Sequence, residues 1–193
     1  MVRQVTLSKS ILSITDNGER AEQVVQEFLE LKYPHCTIKK LVDKDQRKGD
    51  FLLLDKKKDT VYFIEVKSSH SWHGDRVGGD YKYYKKHSKE KGYSTPYIQE
   101  NTRHNDGWFM TSPADILICY NHENKKLYII ADFPALQARI LDFYNNGKTL
   151  RYYDGPFCKW EKNGKKVTEA LGIILDQIPT DKFKVTVYNV EFI

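Results

Sequence analysis

The sequence contains few cysteines and lacks a long apolar segment. Its three cysteines, Cys36, Cys119 and Cys158, are far apart and form no Cys-x-x-Cys motif. They are too few for a four-cysteine iron–sulfur cluster and are typical of thiols in a reducing compartment. No stretch approaches the roughly 20 apolar residues of a membrane-spanning helix, and the first residues lack the apolar run of a secretory signal. We therefore expect a cytoplasmic protein without a membrane partner.

Internal repeats and low-complexity linkers are also absent from the sequence. Turn signals such as Asn17-Gly18 and Asn146-Gly147 are instead spread along the whole chain. A length of 193 residues, with 40% apolar and 30% charged residues, suits one hydrophobic core under a well-solvated surface. We expect a single domain over residues 1–193.

The first third of the chain predicts a helix followed by strands. Apolar residues at helical spacing indicate a helix over Glu19–Lys32, with Thr15 or Asp16 as its N-cap. The strands that follow are predicted at Thr37–Val42, Phe51–Leu54 and Val61–Ile64. The last two are apolar on both faces, as in a sheet covered on both sides, and the short polar segment between them predicts an antiparallel pair.

The rest of the chain predicts further mixed structure. A second hairpin is expected from Ala114–Tyr120 and Leu127–Ala131, a helix from Pro134–Tyr144 and a final strand from Lys184–Phe192. The segment Leu150–Trp160 favours neither helix nor strand. Together these elements predict a mixed α/β layer architecture.

Among several acid-x-Lys tripeptides, only Glu65-Val66-Lys67 ends a strongly apolar strand. The two-residue period of a strand places Glu65 and Lys67 on one face and Val66 on the other. Two unpaired charges would be costly to bury there. We therefore expect them at the end of a sheet, beside a compensating ion or ligand.

A second acid, Asp50, directly precedes the strand that pairs with this one. Antiparallel pairing through the short turn brings Asp50 level with Glu65, so that two carboxylates share one site. A cation would neutralise them, and hard oxygen ligands select Mg²⁺ or Mn²⁺. Phosphodiester hydrolysis needs such a metal and a nearby positive charge, which Lys67 can supply. Lys67 could also orient the attacking water or, with a lowered pKa, deprotonate it.

These residues resemble the PD-(D/E)XK nuclease superfamily, and most closely its Holliday-junction-resolvase and RecB-like branches. The matching residues are Gly49-Asp50 followed by Glu65-Val66-Lys67, although Lys48-Gly49 stands where the superfamily name has proline. The resemblance implies a restriction-endonuclease-like mixed β-sheet flanked by α-helices. It also implies a Mg²⁺-dependent deoxyribonuclease in which Asp50 and Glu65 bind the metal together with the Val66 carbonyl.

The same resemblance nominates an acid on the first helix. Related branches often carry the form Gly-x-x-x-Glu there, and Gly18 to Glu22 matches it. Glu22 is therefore a candidate site residue, with Glu19 as the competing choice. A solvated helix acid is the alternative interpretation of Glu22.

A segment rich in lysine and tyrosine, Tyr81–Tyr97, is a candidate DNA-binding surface on a chain of net charge +5. Its lysines could bind phosphates and its tyrosines could stack on bases or sugars. The alternative is a solvated amphipathic helix. The candidate DNA contacts are Lys82, Lys85, Lys86, Lys89 and, in the polar loop that follows, Arg103.

The sequence thus predicts a metal-dependent endonuclease that hydrolyses duplex or branched DNA. A sequence-specific type II-like restriction endonuclease and a non-catalytic nucleic-acid-binding domain on the same fold are the alternatives. A homodimer is plausible, because symmetrical cutting of two strands needs two sites. Asp115, which interrupts an apolar strand, is either a further site acid or, preferably, an acid at a strand start or turn.

Overall fold

The computed structural model describes residues 2–69, 71, 75–84, 104–148, 150–162 and 165–193. The strands in these ranges are β1 (Val2–Leu7), β2 (Cys36–Lys40), β3 (Phe51–Asp55), β4 (Thr60–Ser69), β5 (Arg76–Tyr84), β6 (His104–Asp106), β7 (Ile116–Asn121), β8 (Lys126–Ile130), β9 (Tyr153–Lys162), β10 (Lys165–Ile174) and β11 (Val185–Phe192). The α-helices are α1 (Asn17–Lys32), α2 (Trp108–Thr111) and α3 (Phe133–Asn145). In these ranges no helix has both the length and the apolar character required to span a bilayer.

The strands form two sheets. The larger sheet has the order β1-β11-β8-β7-β4-β3-β2, and the smaller one has the order β6-β5-β10-β9. In the larger sheet β4 pairs antiparallel with β3 and parallel with β7. The prediction of a mixed sheet with helices is confirmed, and β4 is an inner strand of this sheet, next to the central strand β7.

Helix α1 covers one face of the larger sheet. Its N-cap is Asp16, one of the two residues that the sequence predicted for this role. The Asp16 carboxylate accepts a hydrogen bond from the Glu19 N–H at 2.8 Å. Its buried side chains are those that the helical spacing selected: Ala21, Val24, Val25, Phe28 and Leu29. They pack on the central strands, and full burial of each large apolar side chain contributes about 1.5 to 3 kcal/mol.

A second core covers the opposite face of the same strands. Leu117 and Cys119 of β7 pack there with Val77 of β5 and Leu171 of β10, together with the apolar side of α3. The smaller sheet and α3 therefore lie on the face that α1 leaves open. This arrangement explains why the central strands are apolar on both faces.

Several segments differ from the sequence predictions. Tyr81–Tyr84 belong to β5, so the helical alternative for this region is wrong for these four residues. The undecided segment Leu150–Trp160 contributes β9, which begins at Tyr153. In both cases the strands pair with β10, which is distant in sequence from β5 but is the next strand along the chain after β9. The spacing of apolar residues within either segment carries no information about this partner.

Strand β4 also continues beyond its predicted end, through both charged residues to Ser69. Its second half loses β3 as a partner but pairs with β7, with Glu65 opposite Leu117 and Lys67 opposite Cys119. The parallel neighbour therefore extends the strand and holds the two charged residues on a rigid element.

Gly49 controls the entry of the chain into β3. Its φ is +139°, and a β-carbon at this position would lie 2.7 Å from the carbonyl oxygen of Ile64. Glycine tolerates both conditions because it has no side chain. The close approach allows the N–H of Asp50 to donate to the same Ile64 oxygen at 2.8 Å.

Gly49→Ala is expected to destabilise the protein by more than Gly147→Ala. Gly147 also has a positive φ, +63°, but a β-carbon there would meet no atom within 4 Å. The Gly147 variant therefore tests backbone strain alone, of about 1 to 2 kcal/mol, whereas the Gly49 variant adds a collision with main chain. Urea unfolding of both variants measures the difference. An equal or smaller loss for Gly49→Ala would contradict the close packing of this turn.

Candidate active site

The three residues singled out by the sequence, Asp50, Glu65 and Lys67, meet on one face of the larger sheet. The side chain of Val66 packs in the core under α1, so alternation along β4 directs Glu65 and Lys67 to the other face. The register of β3 and β4 ends with Phe51 opposite Ile64, which brings Asp50 level with Glu65 as expected.

Asp50 is fixed by three main-chain interactions. Its N–H donates to the Ile64 carbonyl at 2.8 Å, and its carbonyl accepts from the Leu41 N–H at 2.8 Å. Its Oδ2 accepts a hydrogen bond from the Val66 N–H at 2.7 Å. The carboxylate is therefore held against β4, with its second oxygen available for another partner.

Lys67 lies between the two carboxylates. Its ammonium donates to Glu65 Oε1 and lies 3.9 Å from Asp50 Oδ2. The side chains of Asp50 and Lys67 retain 21% and 25% of their surface, so solvent or a ligand can reach them. One positive charge thus serves two negative charges in a largely buried place.

The pKa values of these groups reflect burial as well as pairing. Burial, together with the nearby charge of Glu65, raises the pKa of Asp50 to about 6 in spite of the lowering effects of Lys67 and the Val66 N–H. For Lys67, burial opposes the charged form, but Glu65 and Asp50 outweigh it and raise its pKa. Lys67 is therefore a cation near neutral pH in this arrangement.

Two residues that sequence reasoning missed complete the site. Ser112, directly after α2, donates its hydroxyl to Glu65 Oε2 at 3.1 Å. Trp108, at the start of α2, lies with its ring centroid 4.8 Å from the Lys67 ammonium, within cation–π range. Neither has a short-range sequence signal, because both reach β4 through the docking of α2.

The position of α2 is itself fixed by neighbouring elements. Gln137 of α3 donates to the carbonyl oxygens of Phe109 and Ser112, the latter at 3.4 Å. The Trp108 ring stacks on Phe133, with centroids 6.2 Å apart. Both contacts hold α2 beside the two charged residues of β4.

Glu22 does not contact the three central residues. Its Oε2 lies 2.7 Å from Nζ of Lys40, and their hydrogen bond raises the pKa of Lys40. Its charge is nevertheless close enough to raise the pKa of Asp50 slightly, as the weakest of the effects there. Glu22 thus lies near the site, paired with a lysine, and its membership of the site stays a prediction. The competing Glu19 is engaged through its N–H by the helix cap.

The other candidates have varied positions. Asp115 accepts from the Phe63 N–H at 2.8 Å, which is the preferred role of an acid at a strand start. Lys82 lies in β5. The remaining DNA-contact candidates lie outside the described residues: Lys85, Lys86, Lys89 and Arg103. Their roles, like that of the Val66 carbonyl, stay predictions.

The donor set suits a hard divalent cation. Two carboxylates converge here, and each already has Lys67 as its cationic neighbour. Oxygen ligands of this kind select Mg²⁺ or Mn²⁺ over softer metals. Asp50, Glu65 and the Val66 carbonyl are the groups that could hold such an ion.

Comparisons with known proteins give little further information. No family model matches the chain, and no curated protein matches it. Among solved structures, it is similar to a bacterial homing endonuclease, with a TM-score of 0.44 and 14% sequence identity over 65% of this chain and 73% of that chain. A likeness of this size does not establish what this chain does.

Asp50→Asn is expected to stabilise the metal-free protein at about pH 7.5, because the folded state opposes ionisation of this carboxyl. The pKa of the Asp50 carboxyl is raised from 3.8 to about 6 in the folded protein. In the pH window between these two values, the folded state therefore binds more protons than the unfolded state. Wild-type stability therefore falls as pH rises through the window, by up to about 3 kcal/mol. The variant does not lose this stability, because asparagine does not ionise.

The free energy of unfolding is measured with urea in EDTA at about pH 4 and about pH 7.5. The variant should have a larger free energy of unfolding than wild type at the higher pH. At the lower pH the two proteins should be nearly equal, because the wild-type carboxyl is protonated there. Asp59→Asn, on the exposed turn of the same hairpin, is the control. An equal gain at both pH values would contradict the raised pKa.

Proposed function

We propose that this protein is a metal-dependent DNA endonuclease. The observation that carries the proposal is the pair of carboxylates, Asp50 and Glu65, converging on the ammonium of Lys67 at a partly exposed position on one face of the sheet. Ion pairs that serve only stability rarely combine two acids with one base in a buried place, because the excess negative charge is costly. A bound divalent cation removes that excess.

Asp50 and Glu65 would hold Mg²⁺ or Mn²⁺, with the Val66 carbonyl as a third ligand. When bound, such an ion polarises a phosphoryl oxygen and lowers the pKa of water that attacks phosphorus. Neighbouring groups of the protein hold both carboxylates in position. The Val66 N–H donates to Oδ2 of Asp50, and the Ser112 hydroxyl donates to Oε2 of Glu65. Both carboxylates are thereby oriented before any ligand arrives.

Lys67 would act as a cation rather than as a base. Its pKa is raised by Glu65 and Asp50 in spite of burial, so it carries a proton near neutral pH. A protonated amine can donate to a phosphate oxygen, or to the attacking water, as negative charge develops in the transition state. A bound divalent ion would offset the carboxylate charges that raise this pKa, so general-base catalysis by Lys67, which the sequence left open, is the alternative role.

DNA is the proposed substrate because the site chemistry suits a phosphodiester and the chain is basic, with a net charge of +5. Lys82 on β5 belongs to the lysine-rich segment that would contact the backbone of the nucleic acid. Strand β5 also has a place in the core that adjoins the site, through Val77. We favour duplex or branched DNA.

Asp50→Asn and Glu65→Gln are each expected to reduce cleavage at least about a hundredfold, because each removes an anionic metal ligand with little change in volume. The substrates are supercoiled, linear, single-stranded and four-way-junction DNA, each with Mg²⁺, Mn²⁺ or EDTA. Asp59→Asn is the matched control and should cleave like wild type. Absence of cleavage by wild type on every substrate, with DNA binding retained, would identify a non-catalytic binding domain. Unchanged cleavage in both variants would show that the chemistry lies elsewhere.

Ser112→Ala is expected to raise the Mg²⁺ concentration needed for half-maximal cleavage by about 10- to 100-fold. The variant removes the donor that orients Glu65 but leaves both carboxylates, so cleavage at saturating metal should largely recover. Ser112→Thr keeps a hydroxyl and should restore the wild-type requirement. Thr111→Ala is the matched control, because within the described ranges the Thr111 hydroxyl donates only to the Gly107 carbonyl of its own turn. A loss of maximal rate without a change in metal requirement would contradict the positioning role.

A further inference from the structure

A second group of metal-ligand side chains lies at the other end of β3. Cys36 of β2 and Asp55 of β3 are directly opposite each other in the antiparallel pair, and His35 precedes Cys36. One ligand atom from each of the three residues lies within 4.8 Å of the other two. His35 Nε2 and Asp55 Oδ1 are 3.9 Å apart.

The three donor types match those of zinc sites. Imidazole nitrogen, thiolate sulfur and carboxylate oxygen all bind Zn²⁺, at about 2.0 to 2.3 Å, and tetrahedral geometry then separates the ligand atoms by roughly 3.5 Å. The distances between the ligand atoms therefore need to contract by up to about 1.3 Å. His35 is exposed and Cys36 is half-buried, so their side chains have room to make that movement.

Asp55 is oriented by its surroundings. Its Oδ1 accepts hydrogen bonds from the N–H groups of Lys57 and Lys58, at 3.0 and 3.3 Å. Metal-binding carboxylates are commonly held by such outer contacts. The ammonium of Lys58 lies 3.8 Å from Oδ2, but this lysine side chain is 71% exposed and can turn into solvent.

The location also favours a cation. Cys36 follows the C-terminus of α1, and its N–H donates to the carbonyl of Tyr33, the C-cap residue. The last turn of a helix carries partial negative charge on its carbonyl groups. A positive ion at the adjacent cluster is therefore stabilised by the helix as well as by its ligands.

We propose that His35, Cys36 and Asp55 bind one Zn²⁺ ion, with water as the fourth ligand. The Cys36 thiol loses its proton to solvent as the sulfur–zinc bond forms, and the two anionic ligands balance the charge of the ion. Strand β2 is at one end of the larger sheet and, among the described residues, pairs only with β3. The ion would fasten this edge strand to the turn that follows β3.

This site is separate from the candidate active site. Asp50 directly precedes β3 and Asp55 is its last residue, which places them roughly 16 Å apart and on opposite faces of the sheet. Removal of Asp50 and Glu65 carboxylates should therefore leave the zinc site intact. The proposal stands or falls independently of nuclease activity.

Co²⁺ binding tests the proposal, because tetrahedral cobalt bound to thiolate gives a charge-transfer absorption band. Co²⁺ is titrated into the metal-free protein with Asp50→Asn and Glu65→Gln, which disable the other candidate metal site. We expect a thiolate-to-cobalt band that one equivalent of Zn²⁺ removes. Adding Cys36→Ser should abolish the band, and adding His35→Gln should weaken Co²⁺ binding at least about tenfold. Adding Asp59→Asn, an acid outside the cluster on the same turn, should change neither.

Absence of the band in the parent protein would overturn the proposal, as would its persistence in the Cys36→Ser variant, which would assign it to another thiol. Circular dichroism checks whether each variant is folded. If Cys36→Ser does not fold, His35→Gln, at an exposed position, provides the second test. Thermal unfolding gives an independent readout. At a free Zn²⁺ concentration of about 100 times Kd, the parent melting temperature should rise by roughly 5 to 10 °C. An equal rise in Cys36→Ser would also overturn the site.

Discussion

The register of β3 against β4 is the constraint on which the candidate active site depends. Phe51 and Ile64 form the last pair and are both fully buried in the core under α1. A slip by one residue would exchange the faces of the strand, exposing Phe51 and turning Asp50 toward that core. The apolar core therefore fixes where the Asp50 carboxylate lies. Gly49 contributes by allowing the chain to pass close to the Ile64 carbonyl.

The same packing makes the site electrostatically unfavourable without a further cation. Burial and the charge of Glu65 raise the pKa of Asp50, and Lys67 offsets these effects only in part. Lys67 cannot neutralise both acids, because it carries a single charge. The surrounding fold holds the arrangement together through main-chain hydrogen bonds and through Ser112. A divalent ion bound between the two carboxylates would offset this excess negative charge, which is the physical basis of the metal site that we propose.

The sequence predicted the parts of this site that depend on short-range geometry. Asp50, Glu65 and Lys67 lie on two strands joined by a short turn, so alternation and antiparallel pairing were sufficient to bring them together. Helix α1 was equally predictable, but the ion-pair partner of Glu22 was not, because Lys40 lies on β2, outside the helix. Ser112 reaches Glu65 from 47 residues away in sequence, through the docking of α2.

Larger departures have a similar cause. Tyr81–Tyr84 and the segment from Tyr153 became strands because each pairs with β10, a partner that the periodicity within either segment does not reveal. For β9 this partner is the next strand along the chain, whereas β5 pairs with it across a long stretch of sequence. Local patterns thus specified the half of the fold that carries the acids, while the half that covers them also depends on the long-range pairing of β5 with β10. Because the second core joins both halves around Leu117 and Cys119, the opposite partners of Glu65 and Lys67, the covering half also determines how deeply those charges are buried. The whole fold therefore determines the pKa of Asp50, whereas the β3–β4 hairpin alone determines where the Asp50 carboxylate lies.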